Sequence, residues 1–352
     1  MAKKKNMKYI GAAFLVVLLG FLVFYMRKQS TKEAVSVSGF KLNTAIQITA
    51  YGLEDETVLN KAMELCDRYE QIFSRTRTDS ELYQLNQGTL PKEDGWYVLS
   101  EECAELIRLG LYYSEQSEGA FDITIEPVSS LWDFTAEEPE VPDAEQINEA
   151  SRLVDYRKVE LNDNRIRFAE EGMGIELGAI AKGYIADRMK EFLIEEGVES
   201  AIIDLGGNIL CVGEKPDGDA FRVGIQKPFA KRSETIATAE IRNRSVVSSG
   251  IYERCFEKDG VFYHHILDPK SGYPYENDLT SVTIFSEKSV DGDALSTTCF
   301  ALGLEKGMEL VDSLEDVQAV FITEDGELHF SENFNKNFIS NPKLFTEQYL
   351  KR

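Results

Sequence analysis

At 352 residues, 43% of them apolar, the chain is long enough for one large or two ordinary domains around a real core. Its formal charge is −23; removing the seven basic and no acidic residues of positions 1–32 leaves −30 on the remainder, a sign that excludes nucleic acid as a partner. The five cysteines, Cys66, Cys103, Cys211, Cys255 and Cys299, lie far apart with no CxxC pair. That pattern excludes a zinc ribbon or a dense disulfide framework and reads as buried thiols, with a single disulfide left open.

Residues 9–26 are an uncharged run of 18 residues rich in Leu, Val, Phe and Ala, near the lower limit for crossing a bilayer. Four lysines precede it, which puts the N-terminus in the cytoplasm and the body outside. A cleaved signal peptide is the rival reading, but the run ends in Phe24-Tyr25-Met26-Arg27-Lys28, with no small-x-small site and no Cys to carry a lipid there. The expected organisation is a cytoplasmic basic stub, a transmembrane signal anchor and the start of a tether over 1–32. An extracytoplasmic domain occupies 33–352.

Residues 27–39 read as a polar tether, and 40–51 alternate like a strand. Val58, Leu59, Ala62, Leu65, Cys66, Tyr69 and Ile72 recur at helical spacing, predicting a helix over 55–73. A second helix is expected over 100–117 with Ser100 as its N-cap. The acidic, proline-containing stretch 135–145 reads as an exposed loop leading to a short helix. Strands follow at 157–161, 165–168 and 173–177, then a helix over 178–196 ended by Gly197. Further strands are predicted at 201–205, 208–213, 221–226, 235–241, 244–248, 262–267, 280–286, 317–323 and 327–330, with helices near 292–302 and 304–314. Strands and helices without a βαβ rhythm indicate an α+β fold. Neither a P-loop nor a GxGxxG is present, so a nucleotide would be held in another way.

Four places carry side chains suited to chemistry. At Glu176-Leu177-Gly178-Ala179 a predicted strand turns into a helix, whose free N–H groups suit a pyrophosphate; Lys182 could face phosphate or pair with an acid. A tightly packed strand–helix corner would carry the same residues. Asp293 and Thr297, four apart, share a helical face and form a hard-oxygen pair suited to Mg2+. A helix cap and a filler threonine would look alike, although Asp291 is the better cap candidate. His264 and His265 adjoin in a predicted strand and so point to opposite faces; either could be purely structural. In Gly119-Ala120-Phe121-Asp122, Gly119 can end a helix, Phe121 offers a flat face and Asp122 an acceptor. Asp204-Leu205-Gly206-Gly207-Asn208 reads as a hairpin turn or as backbone that approaches a ligand.

These pieces stand in a fixed order with Phe73-Ser74…Ser80-Glu81-Leu82…Leu85-Asn86, His265-Ile266-Leu267-Asp268-Pro269…Ser271-Gly272 and Asp293-Ala294-Leu295-Ser296-Thr297. Together, over about 40–330, they resemble the ApbE family of FAD:protein FMN transferases. The resemblance implies a mixed α/β module with mostly antiparallel sheets. It implies cleavage of the FAD pyrophosphate with Mg2+, attachment of FMN to a Thr or Ser of another protein, and release of AMP. His265 would lie at the catalytic centre, as the base for the acceptor hydroxyl or as a group orienting phosphate. Leu42, Thr76, Ala120, Phe121 and Asp122 would line the flavin nucleotide, together with Glu176, Lys182 and Ile266. Mg2+ would take Asp293, Thr297 and, through its backbone carbonyl, Ala179. Leu42-Asn43-Thr44 stands where Met-Gly-Thr is common, Glu176 replaces an Asp, and Thr76 an aromatic. The acceptor would be an extracytoplasmic electron-transfer protein with a motif of Ser, Gly, Ala and Thr. This chain has no such run, so it would act in trans. The same site could instead hydrolyse FAD with water, or a membrane-tethered carrier could hold FAD without turning it over.

Overall fold

The computed structural model describes residues 33–231, 233–334 and 339–340. The expected membrane anchor lies outside these; among the described residues no helix is long and apolar enough to cross a membrane. Elements are numbered along the chain. The central sheet has eight strands in the order β1 (Ala34–Lys41), β2 (Thr44–Tyr51), β7 (Ser200–Leu205), β8 (Asn208–Gly213), β11 (Ser245–Gly250), β14 (Leu279–Ser286), β15 (Gln318–Thr323) and β16 (Leu328–Phe330). Every neighbouring pair in it is antiparallel. Smaller sheets are β3 (Lys92–Glu93), β4 (Trp96–Val98), β6 (Arg165–Phe168) and β5 (Val159–Asn162); β9 (Phe221–Gln226), β10 (Thr235–Ile241) and β17 (Ile339–Ser340); and the hairpin β12 (Cys255–Lys258) with β13 (Val261–His264). The helices are α1 (Thr57–Phe73), α2 (Glu81–Asn86), α3 (Glu101–Gln116), α4 (Glu126–Ser129), α5 (Ala144–Ser151), α6 (Ala181–Glu195) and α7 (Ser289–Asp312). The α+β class expected from the sequence is the one observed.

Strand alternation sorts the core into two layers. Ile203, Leu205, Leu210, Val212, Val282, Ile284, Ala319 and Phe321 pack with α1, α3, α6 and α7 on one side. Their neighbours Ile202, Ile209, Cys211, Phe285, Val320 and Ile322 pack against β9 and β10 on the other. The central sheet is thus covered on both faces, which is why all eight residues of β14 are buried. Four of the cysteines, Cys66, Cys103, Cys211 and Cys299, are buried thiols, and Cys255 is half-buried.

Several boundaries differ from expectation for identifiable reasons. The predicted strand at 40–51 is the second half of a hairpin whose first strand also takes in 34–39 of the expected tether. Leu42 and Asn43, at φ +52° and +55°, form its two-residue turn. No strand forms at 173–177. There the Asn86 side chain holds Ile175 like a neighbouring strand, accepting its N–H at 2.8 Å and donating to its carbonyl at 2.9 Å. Helix α6 begins at Ala181 rather than 178 and ends as expected, with Gly197 at φ +84° and its N–H on the Ile194 carbonyl. Helix α7 spans both predicted helices, broken at Gly303. It starts at Ser289, not 292, because Asp187 on α6 accepts the Ser289 and Val290 N–H groups at 2.8 and 2.9 Å. Asp291 is therefore not its cap and instead accepts the Tyr113 hydroxyl at 2.8 Å. Strand β13 stops at His264, three residues short of the expected end at 267.

Candidate active site

A cavity of about 1450 Å3 opens at one end of the central sheet, larger than the roughly 300–1,000 Å3 of most small-molecule sites. All twelve residues singled out for the site line it: Leu42, Thr76, Ala120, Phe121, Asp122, Glu176, Ala179, Lys182, His265, Ile266, Asp293 and Thr297. They come from the β1–β2 turn, the loops after α1 and α3, the start of α6, the segment after β13, and α7.

At one wall, α6 and α7 touch. Gly183 lies so close to α7 that a Cβ would sit 2.6 Å from the Val290 Cα and closer still to the Ser289 carbonyl. Its small size therefore serves helix packing rather than the approach of a phosphate. The Gly183 N–H donates to Asp293 Oδ2 at 2.9 Å, and Lys182 Nζ lies 3.2 Å from Asp293 Oδ1. In a regular helix that N–H would bond the Ala179 carbonyl; turned to Asp293, it leaves the carbonyl outside the helical ladder. The N-terminus of α6 is thus mostly engaged, with the Ala181 N–H on the Leu177 carbonyl, and is not the open phosphate cradle expected. Lys182 has taken the acid-pairing option. Asp293 is buried, and Thr297 stands one turn on along the same face. Ser249 at the end of β11 places its Oγ 3.1 Å from Thr297 Oγ1 and 2.8 Å from Ser296 Oγ, holding the threonine in register. Ser249 was not among the predicted metal-site residues; the family resemblance put its segment, Ser248-Ser249-Gly250-Ile251-Tyr252, near the substrate without giving the serine a role.

The rest of the lining is built from local locks. Glu176 accepts the Gly178 N–H at 2.8 Å and pairs with Arg75, which fixes the Ser74-Arg75-Thr76 segment against the cavity. Thr76 is exposed at the rim. Asp122 spends both oxygens internally, accepting from the Thr124 N–H (2.8 Å) and hydroxyl (2.7 Å) and from the Tyr156 N–H (3.0 Å). Burial raises its pKa. Phe121 is buried, its N–H held by Ser117 at 2.9 Å, and the Ala120 carbonyl accepts the Tyr275 hydroxyl at 2.8 Å. Leu42 donates its N–H to Glu70 at 3.2 Å. The Gly206-Gly207 turn, φ +69° and +97°, borders the cavity, and its Asp204 accepts the Gly207 N–H at 2.8 Å.

The two histidines part ways. His264 is buried, with Nε2 3.1 Å from the Tyr275 carbonyl and Nδ1 accepting the Ile266 N–H at 3.3 Å. Burial lowers its pKa to about 4. His265 borders the cavity, and its Nδ1 is buried with no hydrogen-bond partner among the described residues. Burial first, then the nearby Arg254 charge, lowers its pKa to about 3, so its ring is neutral at physiological pH. Asp268 shapes the following turn by accepting the Lys270 N–H at 3.0 Å.

The profile of the ApbE family matches residues 42–321. An FAD:protein FMN transferase of Klebsiella pneumoniae is 36% identical over 306 residues, covering 86% of this chain and 93% of the relative. One of Treponema pallidum is 35% identical over 312 residues, covering 82% and 84%. Among solved structures, the ApbE protein of Thermotoga maritima superposes with a TM-score of 0.78 at 31% identity, covering 87% of this chain and 99% of that one. The flavin transferase ApbE from Vibrio cholerae gives 0.77 at 26%, with the same coverage.

Proposed function

This chain belongs to the ApbE family and is an FAD:protein FMN transferase, and we propose that it works with Mg2+ on an acceptor protein outside the membrane. The observation that carries the metal reading is buried Asp293 with Thr297 on one face of α7, in a cavity that Ala179, whose carbonyl the Gly183 N–H leaves unbonded, also lines. These are hard oxygen donors with a single carboxylate, a set that fits Mg2+, which keeps waters and takes phosphate oxygens. Asp293, Thr297 and the Ala179 carbonyl would hold the ion. When bound, Mg2+ polarises the attacked phosphoryl group and neutralises the leaving phosphate.

The remaining work falls to side chains of this chain. Lys182, 3.2 Å from Asp293, stands where it can exchange that partner for a phosphate oxygen. Glu176 and Arg75 brace the nucleotide wall. The acceptor hydroxyl oxygen forms a bond to the FMN phosphorus, the bridging P–O bond breaks, and AMP leaves with the electron pair. The hydroxyl proton passes to His265, whose neutral ring has a lone pair to receive it. A pyrophosphate alongside raises the affinity of that ring for the proton. The apolar run at 9–26 and the lysines before it support a membrane tether with the catalytic body outside.

The test is to incubate the full chain in detergent with FAD, Mg2+ and an acceptor fragment carrying a Ser-Gly-Ala-Thr type motif, and to weigh the fragment. A gain of one FMN, abolished by EDTA, is expected. Free FMN and AMP with an unchanged fragment would make the chain an FAD pyrophosphatase, and intact FAD would make it a carrier.

A further inference from the structure

Four basic side chains line the cavity: Arg75, Lys182, Arg222 and Arg254. Arg75 is paired with Glu176, and Lys182 with Asp293. Arg222 on β9 makes no ion pair among the described residues but stands directly opposite Glu240 on β10. Arg254 has no carboxylate partner among the described residues, and the residue opposite it in its hairpin is a histidine rather than an acid. In a chain whose body carries about −30, an arginine that collects no carboxylate is out of the ordinary.

Its position follows from strand register. In the β12–β13 hairpin, Cys255 pairs with His264 and Phe256 with Tyr263. The next pair outward is Arg254 with His265, closed by the His265 N–H on the Arg254 carbonyl at 3.1 Å. Side chains of directly opposed residues share a face, a few ångströms apart. Arg254 and His265 therefore look into the cavity together, while Cys255 and His264 look the other way. The depressed pKa of His265, to which the Arg254 charge contributes, agrees with that proximity.

We infer that Arg254 is a phosphate-binding residue that grips the FAD pyrophosphate beside His265. This rests on the reading of the cavity as the FAD site. A guanidinium presents a planar fork of donors matched to two phosphate oxygens. Held there, it offsets negative charge on the leaving phosphate. It also restores proton affinity to His265, since the bound phosphate screens the arginine charge.

The experiment is flavin binding by fluorescence anisotropy, on the full chain in detergent with EDTA present, for the unaltered protein, Arg254→Gln and Arg254→Lys. FAD and riboflavin, which has no phosphate, are the two probes, each titrated at two salt concentrations. Arg254→Gln is expected to weaken FAD binding about 10- to 100-fold, to flatten its salt dependence and to leave riboflavin binding as it was. Arg254→Lys should fall between. Equal FAD affinity in Arg254→Gln and the unaltered chain would overturn the inference. So would a parallel loss of riboflavin binding, which would mean a damaged pocket. If the unaltered chain binds no FAD, the site reading and the inference fail together, a result distinct from either of those.

Discussion

The backbone N–H of Gly183 donates to Asp293 Oδ2 at 2.9 Å, so the packing of α6 on α7 and the position of one carboxylate are a single geometric fact. Helix ends usually satisfy their own N–H groups with a cap from the preceding residue. Here α6 begins with no side-chain cap of its own and takes its acceptor from α7, while α7 takes its first acceptor, Asp187, from α6. Each helix caps the other.

Gly183→Ala should break that reciprocity. The added methyl would sit 2.6 Å from the Val290 Cα, against backbone that cannot swing aside. Overpacking of this kind costs about 1–3 kcal/mol. Thermal unfolding should show a lower Tm, and transfer should drop further than the Tm shift accounts for, because Asp293 moves with α7. A variant with unchanged Tm would show that the helices have slack here.

Asp293→Asn should keep the fold and lose the metal. The amide can still accept from Gly183, but it carries no charge for Mg2+ or Lys182. Transfer is expected to fall roughly 100-fold or more, while FAD affinity measured in EDTA stays within a few-fold of the unaltered chain. Turnover at the normal rate with normal Mg2+ dependence would remove Asp293 from the metal site.

Much of this was legible in the sequence. Strand alternation and helical spacing placed most of the elements within a few residues, and the ordered motifs brought twelve side chains to one cavity. Two of the exceptions share a cause: a distant group satisfied backbone that local pattern assigned elsewhere. Asn86 replaced a neighbouring strand for Ile175, and Asp187 moved the start of α7. A turn of two left-handed non-glycine residues, Leu42 and Asn43, hid a hairpin inside an alternating run. The roles of Ser249 and Arg254 were hidden for a related reason, since only the register of β11 and of β12–β13 shows which way they face.

Ser249→Ala tests whether orientation of Thr297 matters. The serine hydroxyl lies within hydrogen-bond distance of both Ser296 and Thr297. Without it the Thr297 hydroxyl can rotate away from the proposed ion. The Mg2+ concentration for half-maximal transfer should rise about 3- to 10-fold, with FAD affinity in EDTA unaltered. An unchanged Mg2+ requirement would make Ser249 a packing residue only.

His265→Ala should slow transfer more than it weakens FAD binding. Its ring borders the cavity with Nδ1 unpartnered, and at neutral pH it is uncharged, so it adds little Coulomb attraction to the nucleotide. Loss of a general base lowers rates roughly 100- to 10,000-fold. The opposite pattern, weak FAD binding with near-normal turnover at saturation, would make it a binding residue.

Acid should destabilise the protein through its buried imidazoles. His264 and His265 fall from an ordinary value of 6.5 to about 4 and about 3, because burial disfavours the imidazolium. The unfolded chain therefore binds more protons than the folded one below pH 6.5, and stability declines as pH falls from there toward those values. Asp187 acts with the opposite sign. Burial pushes it from 3.8 up to about 6, so its contribution is full below 3.8 and is lost as pH rises through 6. The histidine part can be tested with His264→Gln, whose side chain faces away from that of His265 and whose polar contacts an amide can partly replace. Unfolding is followed in EDTA between pH 7 and 4.5. The variant should start with a lower Tm and lose less of it on acidification than the unaltered chain. Parallel Tm curves would mean that His264 does not resist protonation in the folded protein.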